Sequence, residues 1–123
     1  MPMHTGMGGV AILGAGNIGT ALAEGLVRSG GRRPGDVTVT RRRPEALAAL
    51  AARGFAVTTD NAAAVRSADV VVVAVQPGQL DPLLDGIAGA LDIDRHVVVS
   101  VVSGAGIAAI RARLPVGVPV VRA

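Results

Sequence analysis

The chain has 123 residues, half of them apolar, with Phe55 as its sole aromatic residue and no cysteine. That length fits one domain with an ample core, and it excludes disulfide scaffolds and thiolate metal sites. The net charge of +3, carried by 12 arginines and no lysine, is compatible with an anionic ligand but does not point to nucleic acid, for which base-stacking aromatics are lacking.

Residues 1–9 are Gly-rich and patternless and read as a flexible leader containing His4. The stretch that follows superficially resembles the apolar part of a signal peptide. No Lys or Arg precedes it, however, Asn17 interrupts it and it runs on into Glu24, so a targeting segment is not expected. No apolar run reaches the roughly 18 residues of a membrane span, and a soluble, cytoplasmic protein is expected.

Val10 to Leu13 form a short, wholly apolar run, as in a strand buried on both faces. From Asn17 to Ser29, Ile18, Ala21, Leu22 and Leu26 recur at helical spacing, and Gly30-Gly31 ends the helix. Residues 36–40 are β-branched and follow Pro34-Gly35, giving a second strand. Pro44 opens a helix that runs to Gly54. A third strand is expected over 55–59, a short helix over 61–68 and a fourth strand over 69–75, broken by Pro77. A helix over 79–91, a fifth strand over 96–102, a helix over 106–114 and a sixth strand over 118–123 complete the chain. Strand and helix thus alternate throughout, and the strands are almost wholly apolar. The expected fold is a single-domain α/β Rossmann fold over residues 10–123, a doubly wound, mostly parallel sheet of about six strands with helices on both faces.

Gly14-x-Gly16-x-x-Gly19 follows the first strand and opens the first helix, the context that gives this spacing meaning. Gly14 allows the tight turn, Gly16 lets a pyrophosphate approach the backbone, and Gly19 lets the helix lie close on the sheet. The helix N-terminus then offers N–H groups and a positive dipole end. Leu13, Gly14, Ala15, Gly16, Asn17, Ile18 and Gly19 are therefore the expected phosphate cradle. NAD-binding domains place an acidic residue about 20 residues further on, against the ribose 2′-hydroxyl. Here, 21 residues past Gly19, the chain reads Thr40-Arg41-Arg42-Arg43. A hydroxyl and guanidinium groups favour a 2′-phosphate, so Thr40, Arg41 and Arg42 point to NADPH, with NADH bound more weakly.

At this point residues 12–26, 58–77 and 97–123 together resemble the N-terminal domain of the pyrroline-5-carboxylate reductases. The resemblance implies NAD(P)H-dependent reduction of the cyclic imine pyrroline-5-carboxylate to L-proline, in proline biosynthesis. It also implies further cofactor contacts. Asn61 lies near the adenosine side. Ala74, Val75, Gln76 and Pro77 are similar to the family's apolar-Lys-Pro turn, with Gln76 in place of the Lys. Val101, Val102, Ser103 and Gly104 close over the nicotinamide. The family continues past the sixth strand into a helical domain that forms the dimer and most of the imino-acid pocket; that domain is expected to be absent from this chain. No catalytic residue is assigned.

Among the remaining polar residues, His96 reads as a surface or internally satisfied histidine, and Asp69 as a residue of the turn before the fourth strand. Asp81, Asp85, Asp92 and Asp94 have no His or Cys beside them in the sequence to make a metal site. Two alternatives stay open: a deazaflavin-dependent NADP reductase or related oxidoreductase, and a non-catalytic stand-alone NADP-binding module.

Overall fold

The computed structural model describes residues 9–14 and 16–123. Six strands, β1 (Val10–Leu13), β2 (Val37–Thr40), β3 (Ala56–Thr58), β4 (Val70–Val73), β5 (Val97–Ser100) and β6 (Val120–Arg122), alternate with five helices, α1 (Asn17–Arg28), α2 (Ala48–Ala52), α3 (Asn61–Arg66), α4 (Leu80–Ile87) and α5 (Ile107–Arg111). The strands form one sheet in the order β3-β2-β1-β4-β5-β6, and every pairing is parallel. Parallel neighbours need crossovers, and the crossovers place helices on both faces of the sheet.

Side chains of a strand alternate between faces, and the apolar runs fill two cores. Val10 and Ile12 of β1 join Val37, Val39, Ala23 of α1, Leu50 of α2 and Phe55 on one face. Ala11 and Leu13 join Val71, Val73, Val65 of α3, Leu84 and Ile87 of α4, and Ile110 of α5 on the other. All four β1 residues are buried, which explains why this strand reads as a continuous apolar run rather than an alternating one.

The boundaries depart from the sequence expectation in a consistent way. Asp36 is not a strand residue. It ends a 3-10 turn over Pro34–Asp36, where its carboxylate accepts from the Arg33 N–H at 3.3 Å. The expected helix from Pro44 begins as a 3-10 turn over Pro44–Leu47 and becomes α-helical only at Ala48. The helix after β4 likewise ends at Ile87 and continues as a 3-10 turn over Ala88–Ala90; Gly86 and Gly89 are weak helix formers placed where it gives way. At the other end of the chain, Gly9 stands just before β1, and its carbonyl accepts from the N–H groups of Asp69 and Val70. His4 and the rest of the expected leader lie outside the described residues, as does Ala15.

Candidate cofactor-binding site

β1 lies at the point where the sheet reverses its winding, between β2 and β4. In open parallel sheets, ligands bind beyond the carboxyl ends of the strands at such a point. There the structure has a cleft of about 340 Å³, walled by the turn after β1, the end of β2, the start of α3 and the segment after β4.

Gly14 turns the chain out of β1 with φ of +85°, a conformation that disfavours any side chain. Its N–H donates to both the carbonyl and the hydroxyl of Thr40, at 3.2 and 3.1 Å, which locks the turn onto β2. Gly16 is the N-cap of α1, and no side chain caps that helix and no acidic residue stands in its first turn. The first N–H groups of a helix have no intrahelical partner, so this end of α1 suits an anion. A Cβ built on Gly16 would meet nothing within 4 Å. That open space, bounded by cleft residues, is room for a phosphate to approach the backbone.

Three consecutive arginines, Arg41, Arg42 and Arg43, leave the end of β2, and all three are exposed and line the cleft. None of the described residues lining it is acidic. On the opposite wall Asp60 caps α3, its Oδ1 accepting from the Ala63 N–H at 3.1 Å, so Asn61 is relieved of capping and turns instead to Thr40, whose hydroxyl contacts Asn61 Oδ1.

Of the residues expected from sequence, the cleft brings together Gly14, Gly16, Thr40, Arg41, Arg42, Asn61, Ala74, Val75 and Gln76. Leu13 is fully buried behind the turn. Asn17, Ile18 and Gly19 form the first turn of α1 and Pro77 opens the 3-10 turn after β4; they adjoin the cleft without being among its walls. Val101, Val102, Ser103 and Gly104 follow β5 at the same end of the sheet and also lie outside these walls. Val102 is buried, with its N–H donating to Ser100 Oγ at 3.2 Å, while Ser103 and Gly104 are exposed.

Arg43, Thr59 and Gln79 line the cleft too, although the sequence reading did not place them in the site. Thr59 follows β3, and every residue just past a strand of this sheet was a candidate by position. Gln79 closes the turn that Gln76 opens, its N–H donating to the Gln76 carbonyl at 2.9 Å, and this 3-10 turn brings both residues to the cleft.

The polar residues elsewhere serve the fold. His96 is 2 % exposed and internally satisfied, bonded to the Asp92 N–H and the Val65 carbonyl, each at 2.9 Å. Asp69 pairs with Arg95, and Asp81 and Asp85 with Arg113. Among the described residues no group of His, Cys, Asp or Glu could hold a metal, and no helix is long and apolar enough to cross a membrane.

The doubly wound parallel sheet and the glycine turn at its switch point define a domain of the Rossmann class. The chain belongs to the family described as NADP oxidoreductase coenzyme F420-dependent, which it matches over residues 9–104. It is 44 % identical over 115 residues to pyrroline-5-carboxylate reductase 1 of Dictyostelium discoideum, an alignment covering 94 % of this chain and 21 % of that protein. To the pyrroline-5-carboxylate reductase of Mycobacterium tuberculosis it is 42 % identical over 126 residues, covering 98 % of this chain and 42 % of the relative. Among solved structures, a pyrroline-5-carboxylate reductase from Coxiella burnetii superposes with a TM-score of 0.88 at 27 % identity, over 94 % of this chain and 43 % of that one. The chain therefore spans between a fifth and a little over two fifths of the length of these relatives.

Proposed function

We propose that the chain is the NADPH-binding domain of a pyrroline-5-carboxylate reductase. The cofactor half of this reading rests on the cleft. Room above Gly16 and the uncapped start of α1 suit the pyrophosphate, and Arg41 and Arg42, with no acidic residue on the walls, suit a 2′-phosphate. NADH lacks that phosphate and binds more weakly. Gln76, in the turn after β4, lies toward the nicotinamide side, with Val101 to Gly104 beyond it as the segment that closes over the ring.

The substrate half rests on one observation, the identity of 42–44 % to named pyrroline-5-carboxylate reductases across nearly the whole chain. The family description also covers the deazaflavin alternative, and this identity favours the imine reductase over it. Bound NADPH supplies a hydride for the imine carbon of pyrroline-5-carboxylate. The chain's own residues hold and orient the dinucleotide; the imino-acid pocket and the homo-oligomer contact belong to the part of the relatives this chain does not match. The expected setting is the cytoplasm.

The test joins this chain to the part of the Mycobacterium tuberculosis relative that it does not cover. The chimera should reduce pyrroline-5-carboxylate with NADPH, while the 123-residue chain binds NADPH with little or no turnover, because hydride transfer needs the imine held at about 3–3.5 Å. A folded chimera that binds NADPH but leaves the imine untouched would remove the substrate reading. Full turnover by the chain alone would remove the division of labour.

A further inference from the structure

The two walls of the cleft are tied through one hydroxyl. Thr40 ends β2 with 1 % of its surface exposed. Its Oγ1 accepts from the Gly14 N–H at 3.1 Å and lies 2.5 Å from Asn61 Oδ1. A hydroxyl owns a single proton. The Gly14 N–H can only donate, so it occupies a lone pair of Oγ1 and leaves that proton to be placed. Given to Asn61 Oδ1, it satisfies all three groups. With the Asn61 amide turned over, the proton would face another donor and be buried without a partner, which costs about as much as a lost hydrogen bond. No buried side-chain N or O atom among the described residues lacks a partner. The relay therefore runs one way, from Gly14 N–H to Thr40 Oγ1 and from Thr40 Oγ1–H to Asn61 Oδ1.

Asn61 lines the cleft beside Arg41 and Thr59, and helix capping is already provided by Asp60. With Oδ1 held from the buried side, Nδ2 is the branch left for the cleft. We propose that Thr40 is a positioning residue and not a ligand contact: its hydroxyl pins Asn61 Oδ1 and so presents the Asn61 amino group to an acceptor oxygen on the dinucleotide. This inference rests on the NADPH reading and adds a directed donor to it. Because the same hydroxyl also holds Gly14, the phosphate turn and the Asn61 donor are set in register by a single side chain.

The experiment measures NADPH dissociation constants by nicotinamide fluorescence for Thr40→Val, Thr40→Ser, Asn61→Ala, Asn61→Asp and the Thr40→Val/Asn61→Ala pair. Thr40→Val should weaken NADPH binding roughly three- to tenfold, the range of one hydrogen bond, and Thr40→Ser should restore it. In the Asn61→Ala background, Thr40→Val should cost clearly less than in the wild type, since the part of its effect that passes through that amide is already gone and only its hold on Gly14 remains. Asn61→Asp keeps the acceptor for Thr40 but sets a carboxylate oxygen against the ligand, so it should bind NADPH more weakly than Asn61→Ala. If Thr40→Val does not fold, Thr40→Ala takes its place in the pair, and the Asn61 comparison still tests which way the amide faces. Additive losses in the double variant, or an Asn61→Asp protein that binds as tightly as the wild type, would overturn the relay. A wild-type chain that binds no nicotinamide dinucleotide would overturn the NADPH reading and this inference with it.

Discussion

A β-carbon on Gly14 would fall 2.4 Å from Val75 Cγ1 and 3.2 Å from Val75 Cα. The turn after β1 and the segment after β4 thus touch at a point where only a glycine fits, and both residues line the cleft. Gly14 is demanded twice, by this approach and by its positive φ. Gly16, two residues on, has φ of −76° and open space above it. One glycine of the motif serves the protein, and the other leaves room for a ligand.

Gly14→Ala should therefore act on stability. The left-handed backbone costs about 1–2 kcal/mol for a residue with a Cβ, and the collision with Val75 adds overpacking strain of similar size. A urea denaturation midpoint unchanged from the wild type would contradict this.

Gly16→Val should do the opposite, leaving the denaturation midpoint close to that of the wild type while abolishing NADPH binding. Its backbone conformation admits any residue, and the new side chain would enter only the space assigned to the pyrophosphate. Retained affinity in a fluorescence titration would remove the glycine turn from the site.

Changing Arg41 and Arg42 together to Ala should erase most of the preference for NADPH over NADH. A charge-assisted contact is worth about 1.5–3 kcal/mol, or roughly ten- to a hundredfold in affinity. The affinity for NADH, which has no 2′-phosphate, should change little. Equal losses for both dinucleotides would mean that the arginines act on the pyrophosphate or on the field as a whole.

His96→Leu should destabilise the fold by about 1–3 kcal/mol, because it removes two hydrogen bonds of a buried side chain, leaving the Val65 carbonyl with only its bond from the Ala68 N–H and the Asp92 N–H without its acceptor. Arg95→Ala, one residue away, removes an exposed ion pair with Asp69 and an exposed hydrogen bond to the Arg66 carbonyl and should cost about 1 kcal/mol or less. Thermal unfolding of the two variants, read by circular dichroism, separates these outcomes.

The sheet was legible because both of its faces are covered. Runs such as residues 10–13 and 70–73 are apolar without interruption, the pattern of strands in a parallel sheet between two helical layers, and their alternation with helical segments points to that arrangement. Gly14, Gly16 and the arginines after β2 were legible for a related reason, since their task is set by local backbone and charge. What the sequence hid depends on contacts between distant segments. Thr40 reads as a hydroxyl for a phosphate, but Gly14 and Asn61 claim it from either side. Gln79 joins the cleft only through a 3-10 turn, which has no strong sequence signal of its own. His96 is fixed by Val65, 31 residues away, a pairing that spacing along the chain does not reveal.

NADPH is expected to bind in the cleft at the end of β1. Titration of the 123-residue chain with NADPH and with NADH, followed by nicotinamide fluorescence and repeated with Gly16→Val, tests it most directly. Saturable binding of one NADPH per chain is expected, tighter than NADH by about tenfold, with no binding to Gly16→Val. Absence of binding to the wild type, equal affinity for the two dinucleotides, or undiminished binding to the variant would contradict it.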